Sequence, residues 1–275
     1  MNRSGYILLL LVFSLLSGCV SLFGEEEDKT RNWSANRFYS EASTALNEGD
    51  YQKAIKYYEM LEARFPFGKY AMQSQLDIAY AYYKSDEADS AIAAADRFIR
   101  TNPRNPRVDY AYYLKGLVNF NRSVDFITRF LPTDLSQRDS GAANESFRDF
   151  GELVRRFPDS EYSKDARVRM VYLHNLVAQH EVHIASYYMK KGAYLAAANR
   201  CKEVVEKFQR APAVEQALEI MVKAYTKLEL PKLAEDSQRV LELNREKGAF
   251  TQNVDKPEDR SMARVVWEKL GLDEN

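Results

Sequence analysis

Residues Glu48–Pro66 read EGDYQKAIKYYEMLEARFP. A turn residue, Gly49, is followed by Ala54, then by an apolar helical face, and the stretch closes at Pro66, which cannot continue a helix. The same order returns in Ser85–Pro103, SDEADSAIAAADRFIRTNP, and in Lys191–Gln209, KGAYLAAANRCKEVVEKFQ. Ala54 and Ala91 lie 37 residues apart, as do Pro66 and Pro103. A fixed period of this size marks a stack of helix pairs, each unable to bury its apolar face alone.

Working outward, the pattern resembles the tetratricopeptide repeat. Ala42, Ala79, Gly116 and Ala185 fall where a first helix meets its second, and Ala54, Ala91 and Ala197 fall on the facing side. Two helices approach closely only if no bulky side chain separates them. Gly49 and Gly192 stand at the turns between helices, and Pro66, Pro103 and Pro158 end second helices. The expected fold is all-α, a right-handed solenoid of five helix pairs. The helices are expected near 34–47 and 51–64, 70–84 and 88–101, 107–121 and 142–156, 163–190 and 194–208, and 213–228 and 231–246. Two departures stand out. Unit three carries an insertion between its helices at about 122–141, and unit four opens with a helix about twice the usual length, free of Gly and Pro. In such a stack the first helices line a concave face. The repeat register places Tyr39, Tyr80, Tyr83, Tyr110, Tyr113 and Phe120 on it, which predicts a tyrosine-rich groove for an extended peptide with aromatic side chains. A stripe of rings at helical spacing also fits plain packing between repeats.

The N-terminus reads differently. Arg3 precedes an apolar run from Ile7 to Leu16, too short to cross a membrane and suited to a secretory signal. Leu16-Ser17-Gly18-Cys19 resembles the bacterial lipobox, in which cleavage before the cysteine leaves it as the lipid-bearing N-terminus. Residues 1–18 are thus expected to be a cleaved signal and 19–32 a lipidated flexible tether. Val20 after the cysteine, in place of Asp, points by resemblance to the outer membrane.

Composition narrows the function. A net charge of −1 argues against a nucleic-acid surface. The two cysteines, Cys19 and Cys201, cannot pair if Cys19 carries lipid. Cys201 falls where two helices pack and is expected to be a buried small hydrophobe. His180 and His183 are one turn apart without a third ligand, so no metal is predicted. No phosphate loop, nucleophile elbow or dinucleotide fingerprint is present, and no catalytic residue is assigned. The charge runs Glu25–Asp28 and Arg167–Arg169 read as solvated faces.

Taken together, the lipobox, the repeats, the insertion, the long helix and the run Ala63-Arg64-Phe65-Pro66-Phe67-Gly68-Lys69-Tyr70-Ala71 resemble the BamD family, lipoproteins of the outer-membrane β-barrel assembly machine. The resemblance covers Leu16 to about Lys247. It implies a non-enzymatic protein at the periplasmic face of the outer membrane, with no cofactor beyond the lipid on Cys19. It further implies that units one to three (33–158) receive the C-terminal targeting segments of unfolded barrel proteins. Units four and five (159–247) would join the barrel-forming subunit BamA, with Arg200 and Lys202 as candidate contacts, and residues 248–275 would be a polar tail. Other lipoproteins of the same machine are implied partners. A tetratricopeptide lipoprotein that regulates cell-wall hydrolases is the alternative.

Overall fold

The structure is a computed structural model that describes residues 29–128 and 140–250. Among the described residues the chain forms ten α-helices and no strand. They are α1 (Ala35–Asn47), α2 (Tyr51–Arg64), α3 (Lys69–Lys84), α4 (Ala88–Thr101), α5 (Val108–Thr128), α6 (Gly141–Arg156), α7 (Tyr162–Lys190), α8 (Tyr194–Lys207), α9 (Ala213–Lys227) and α10 (Pro231–Glu246). Nine of the ten match the expected spans to within a residue or two. The exception is α5, which runs on to Thr128, so the start of the insertion is more helix. Residues 129–139, Cys19 with the signal and most of the tether, and 251–275 lie outside the described residues.

Each helix packs on the next in sequence, and the first helices also pack on one another: α1 on α3, α3 on α5, α5 on α7, α7 on α9. The second helices do not pack on one another to that extent. The first helices therefore form the inner layer of a curved stack, as a solenoid of helix pairs requires.

Local chemistry sets the joints. Ser34 caps α1 by accepting from the Arg37 N–H (3.3 Å), and Asp50 caps α2 by accepting from the Lys53 N–H (3.2 Å). Gly49 (φ +82°) and Gly192 (φ +74°) turn the chain between helices, as expected. In units two and five the same left-handed position is held by Asp86 (φ +65°) and Glu229 (φ +56°). All four turns close with one bond pattern. Asp50, Glu87, Ala193 and Leu230 donate their N–H groups to the carbonyls of Ala45, Tyr82, Tyr188 and Tyr225 at 2.8–3.0 Å. The second helices share an ending too: Phe65, Asn102, Phe157 and Phe208 leave at φ between −120° and −132°. Three precede proline, but Phe208 precedes Gln209, so proline reinforces an ending that the packing already imposes.

The small residues sit where the spacing put them. Ala42, Ala54, Ala79, Ala91, Ala185 and Ala197 have no exposed surface. In unit three Ser146 donates its hydroxyl to the Gly116 carbonyl at 2.9 Å, and the Phe150 ring lies against Gly116. The apolar core divides within α7: Val177 belongs with units one to three and Ala178 with units four and five. The long helix is thus a beam shared by two cores, and Phe208 packs against both. At the N-terminus, Arg64 donates to the Thr30 carbonyl at 2.7 Å, and the Trp33 ring lies 5.1 Å from Phe38 and 5.3 Å from Tyr57. The folded body therefore includes the turn at residues 29–32.

Candidate interaction surfaces

The predicted groove residues divide into two groups. Tyr80, Tyr110, Tyr113 and Phe120 are buried. This corrects the expectation that they face an open groove. The first helices pack directly on one another, so these rings are clasped between neighbouring units. Tyr113 stacks on Tyr162 (5.1 Å between centroids) and Phe120 packs on Tyr172 (5.8 Å). Tyr39 and Tyr83 remain partly exposed. Their hydroxyls are engaged: Tyr39 donates to Asp77 at 2.9 Å, and Asn121 donates to Tyr83 at 2.7 Å.

Asp77 was not singled out by sequence reasoning. It is buried in α3 and accepts from Tyr39 and, at 2.8 Å, from the Gln73 amide, whose oxygen in turn takes a bond from Arg107. One carboxylate thereby ties units one, two and three together. Burial pushes its pKa up to about 6, against the opposing hydrogen bonds from Gln73 and Tyr39 and the charge of Arg107. A signal was available: an acidic residue inside the apolar run Leu76–Tyr83, which reads LDIAYAYY. Burial and the neighbouring Asp77 charge raise Tyr39 well above the ordinary tyrosine range, so it stays a neutral donor.

A second link joins units three and four. Tyr113 donates to Asp165 at 2.6 Å, and Arg169 donates to the same oxygen at 2.5 Å. Arg169 is only 1% exposed, with its guanidinium carbon 4.7 Å from the centre of the Phe120 ring. The expectation of a solvated run at Arg167–Arg169 therefore holds for Arg167 and fails for Arg169. Position 169 points into the seam because α7 packs there against α5 as well as α6.

Arg200 and Lys202 do not share a surface. Arg200 reaches back to Glu181 on α7 (2.9 Å), whereas Lys202 lies 3.7 Å from Glu206 of its own helix. Residues two apart on a helix face different ways. Cys201 between them has no exposed surface, and burial pushes its thiol up to about 12, which keeps it protonated and unreactive at neutral pH. His174 packs against Phe208 (4.8 Å) and His183 lies 3.4 Å from the Gln179 amide. Among the described residues no group of three metal-ligating side chains converges, and no described helix is long and apolar enough to cross a membrane.

The sequence model of the family described as "Outer membrane lipoprotein" (YfiO) matches residues 31–241. The "Outer membrane protein assembly factor BamD" of Neisseria gonorrhoeae is 46% identical over 256 residues, covering 91% of this chain and 96% of that protein. The chain belongs to the BamD family. The member from Vibrio cholerae is 36% identical over 235 residues, covering 86% of this chain and 96% of its own, and that from Haemophilus influenzae is 34% identical over 247 residues, covering 90% and 93%. The match to the family coincides with the packed stack. It begins beside Thr30, where Arg64 fastens the chain, and ends at Leu241, a buried residue of α10. The crystal structure of MamA protein covers 81% of this chain and 98% of its own at a TM-score of 0.33 and 14% identity; the fold assignment rests on the helix pairs themselves.

Proposed function

We propose that the chain is a lipid-anchored assembly factor for outer-membrane β-barrel proteins, acting as a binding scaffold without catalysis. The observation that carries this reading is the near full-length identity to relatives named as outer membrane protein assembly factors. The architecture suits the role. A stack of helix pairs offers long surfaces and rigid seams, and its one described thiol is buried. Cys19 carries the lipid and holds the protein on the periplasmic face of the outer membrane. Units one to three receive unfolded barrel segments along the inner layer. Tyr39 and Tyr83 present ring surface there, and Tyr80, Tyr110, Tyr113 and Phe120 act from beneath by fixing the shape of the floor. Units four and five bind the periplasmic domains of a BamA-like barrel subunit, with Arg200 and Lys202 as candidate contacts on two different faces.

The deciding experiment is a mild-detergent pulldown of the tagged full-length chain from its own envelope, with mass spectrometry of the partners. Stoichiometric recovery of a large barrel protein with repeated periplasmic domains is expected. Recovery of cell-wall hydrolases without that barrel would overturn the reading and leave only the scaffold.

A further inference from the structure

We propose that the edge of the stack formed by the α2–α3 and α4–α5 loops rests on an anionic lipid surface, with Phe67 inserted at the interface. Phe67 is 90% exposed, more than any other large apolar side chain among the described residues. The loop that carries it is stiff. Pro66 restricts the backbone on one side, and Gly68 on the other sits at φ +104°, where an added Cβ would meet nothing within 4 Å; the backbone, not crowding, requires glycine there. Within the same loop Phe65 packs toward Phe38, 6.3 Å between centroids. One ring therefore secures the loop while the other is held out in solvent. Met72, 42% exposed, follows on α3.

The neighbouring α4–α5 loop is fastened alongside. Asn102 donates to the Gln75 side chain at 2.9 Å, and the Asn105 amide lies 2.9 Å from the Met72 sulfur. Neither Ala63–Leu76 nor Phe98–Val108 contains Asp or Glu, whereas Arg64, Lys69, Arg100 and Arg104 are all exposed. An outward aromatic side chain on an edge that carries Lys69, Arg100 and Arg104 and no carboxylate in either loop matches the membrane interface, where the ring enters the headgroup layer and the cations meet anionic phosphates.

The tether selects the lipid surface as occupant, and here the inference rests on the lipidation of Cys19. Because Arg64 holds the Thr30 carbonyl, the N-terminal segment leaves the body at this same edge. From Cys19 to Lys29 is ten residues, a reach of at most about 35 Å, which keeps the edge near the bilayer at high effective concentration. The acidic run Glu25–Asp28 is a competing occupant by charge alone. Four carboxylates offer no apolar partner for Phe67 and Met72, so the chemistry favours lipid.

The test uses the full-length lipidated chain carrying Phe67→Trp, in vesicles of phosphatidylethanolamine and phosphatidylglycerol with brominated acyl chains. The signal of the chain without that substitution, which has Trp33 and Trp267, is subtracted. Trp fluorescence at position 67 is expected to fall at least about two-fold and shift to the blue. A control Leu195→Trp, at an exposed site on α8, is expected to stay unquenched. Adding Lys69→Glu with Arg104→Glu should return the position-67 signal toward the control. A chain that floats with vesicles but shows no more quenching at 67 than at 195 overturns the inference alone. A chain that fails to float overturns the lipid anchor and the inference with it. Quenching that appears only after Glu25–Asp28 are changed to Gln assigns the edge to the acidic run and overturns the lipid contact.

Discussion

Gly116 of α5 lies directly against Phe150 of α6: a Cβ at position 116 would sit 2.4 Å from two carbons of the ring. Among the described glycines only this one has a ring so close, and the contact lies within the unit that carries the insertion. The Phe150 ring has no exposed surface and is packed in the core of units one to three. Gly116→Ala is therefore expected to destabilise the chain by roughly 2–3 kcal/mol, although alanine favours a helix. Urea unfolding measures the loss. Combining Gly116→Ala with Phe150→Leu should cost less than the two separate losses added, since the smaller side chain relieves the overlap.

The four inter-helix turns share one conformation but not one residue. Glu229 adopts φ +56° at a position where Gly192 and Gly49 serve in other units. A side chain in that region is strained. Glu229→Gly is expected to stabilise the chain by about 0.5–1 kcal/mol, and Gly192→Ala to destabilise it by about 1 kcal/mol. Thermal unfolding of the two variants should move in opposite directions.

Asp77 gives a pH dependence of defined sign. Its folded pKa of about 6 stands above the value of 3.8 for a free side chain. Between those values the folded chain binds a proton that the unfolded chain has lost, so the contribution of Asp77 to stability falls as pH rises through this window. The difference amounts to about 3 kcal/mol. The parent chain is expected to gain about 2 kcal/mol of that relative to Asp77→Asn between pH 7 and pH 4, the rest appearing below the free side chain's value of 3.8. A flat difference across the range would show that Asp77 titrates in the ordinary carboxylate range.

The seam between units three and four depends on Tyr113, Asp165 and Arg169. Tyr113→Phe removes a 2.6 Å hydrogen bond to a carboxylate and is expected to cost about 2 kcal/mol. Arg169→Met leaves the Asp165 charge without its main partner and should cost about 3 kcal/mol or more. A double-mutant cycle read by denaturant midpoint should show strong coupling between the two.

A test of client binding follows from the burial pattern. Tyr113→Ala would empty a core site, so lost binding in that variant would report unfolding as readily as a lost contact. Tyr39→Phe with Tyr83→Phe keeps the rings and removes hydroxyls that bond to Asp77 and Asn121. If the inner layer receives client peptides through those hydroxyls, affinity for an aromatic-ended peptide should fall several-fold, while the chain stays folded with a melting temperature lowered by the donor that Asp77 loses. Unchanged affinity with an intact fold would remove both hydroxyls from the binding surface.

The sequence by itself determined the repeat. The 37-residue spacing, the alanines at the crossings and the long uninterrupted helix of unit four are local features of composition and period, and they set nine helices to within a residue or two. These are visible because each helix pair repeats the same short-range rules of capping, turning and close approach. Only the tertiary structure decided which side of each first helix meets the next unit. Because the first helices pack on one another, Tyr110, Tyr113 and Phe120 became core, and Arg169 was drawn inside with them. Asp77, a single acidic residue in an apolar run, became the tie among three units because Tyr39 of α1 donates to it directly and Arg107, at the start of unit three, reaches it through Gln73 of α3. The outward set of Phe67 was likewise hidden in a sequence that reads as two equal phenylalanines about a proline. Spacing along one helix defines its faces, but burial of a face depends on the neighbours that the whole stack brings to it.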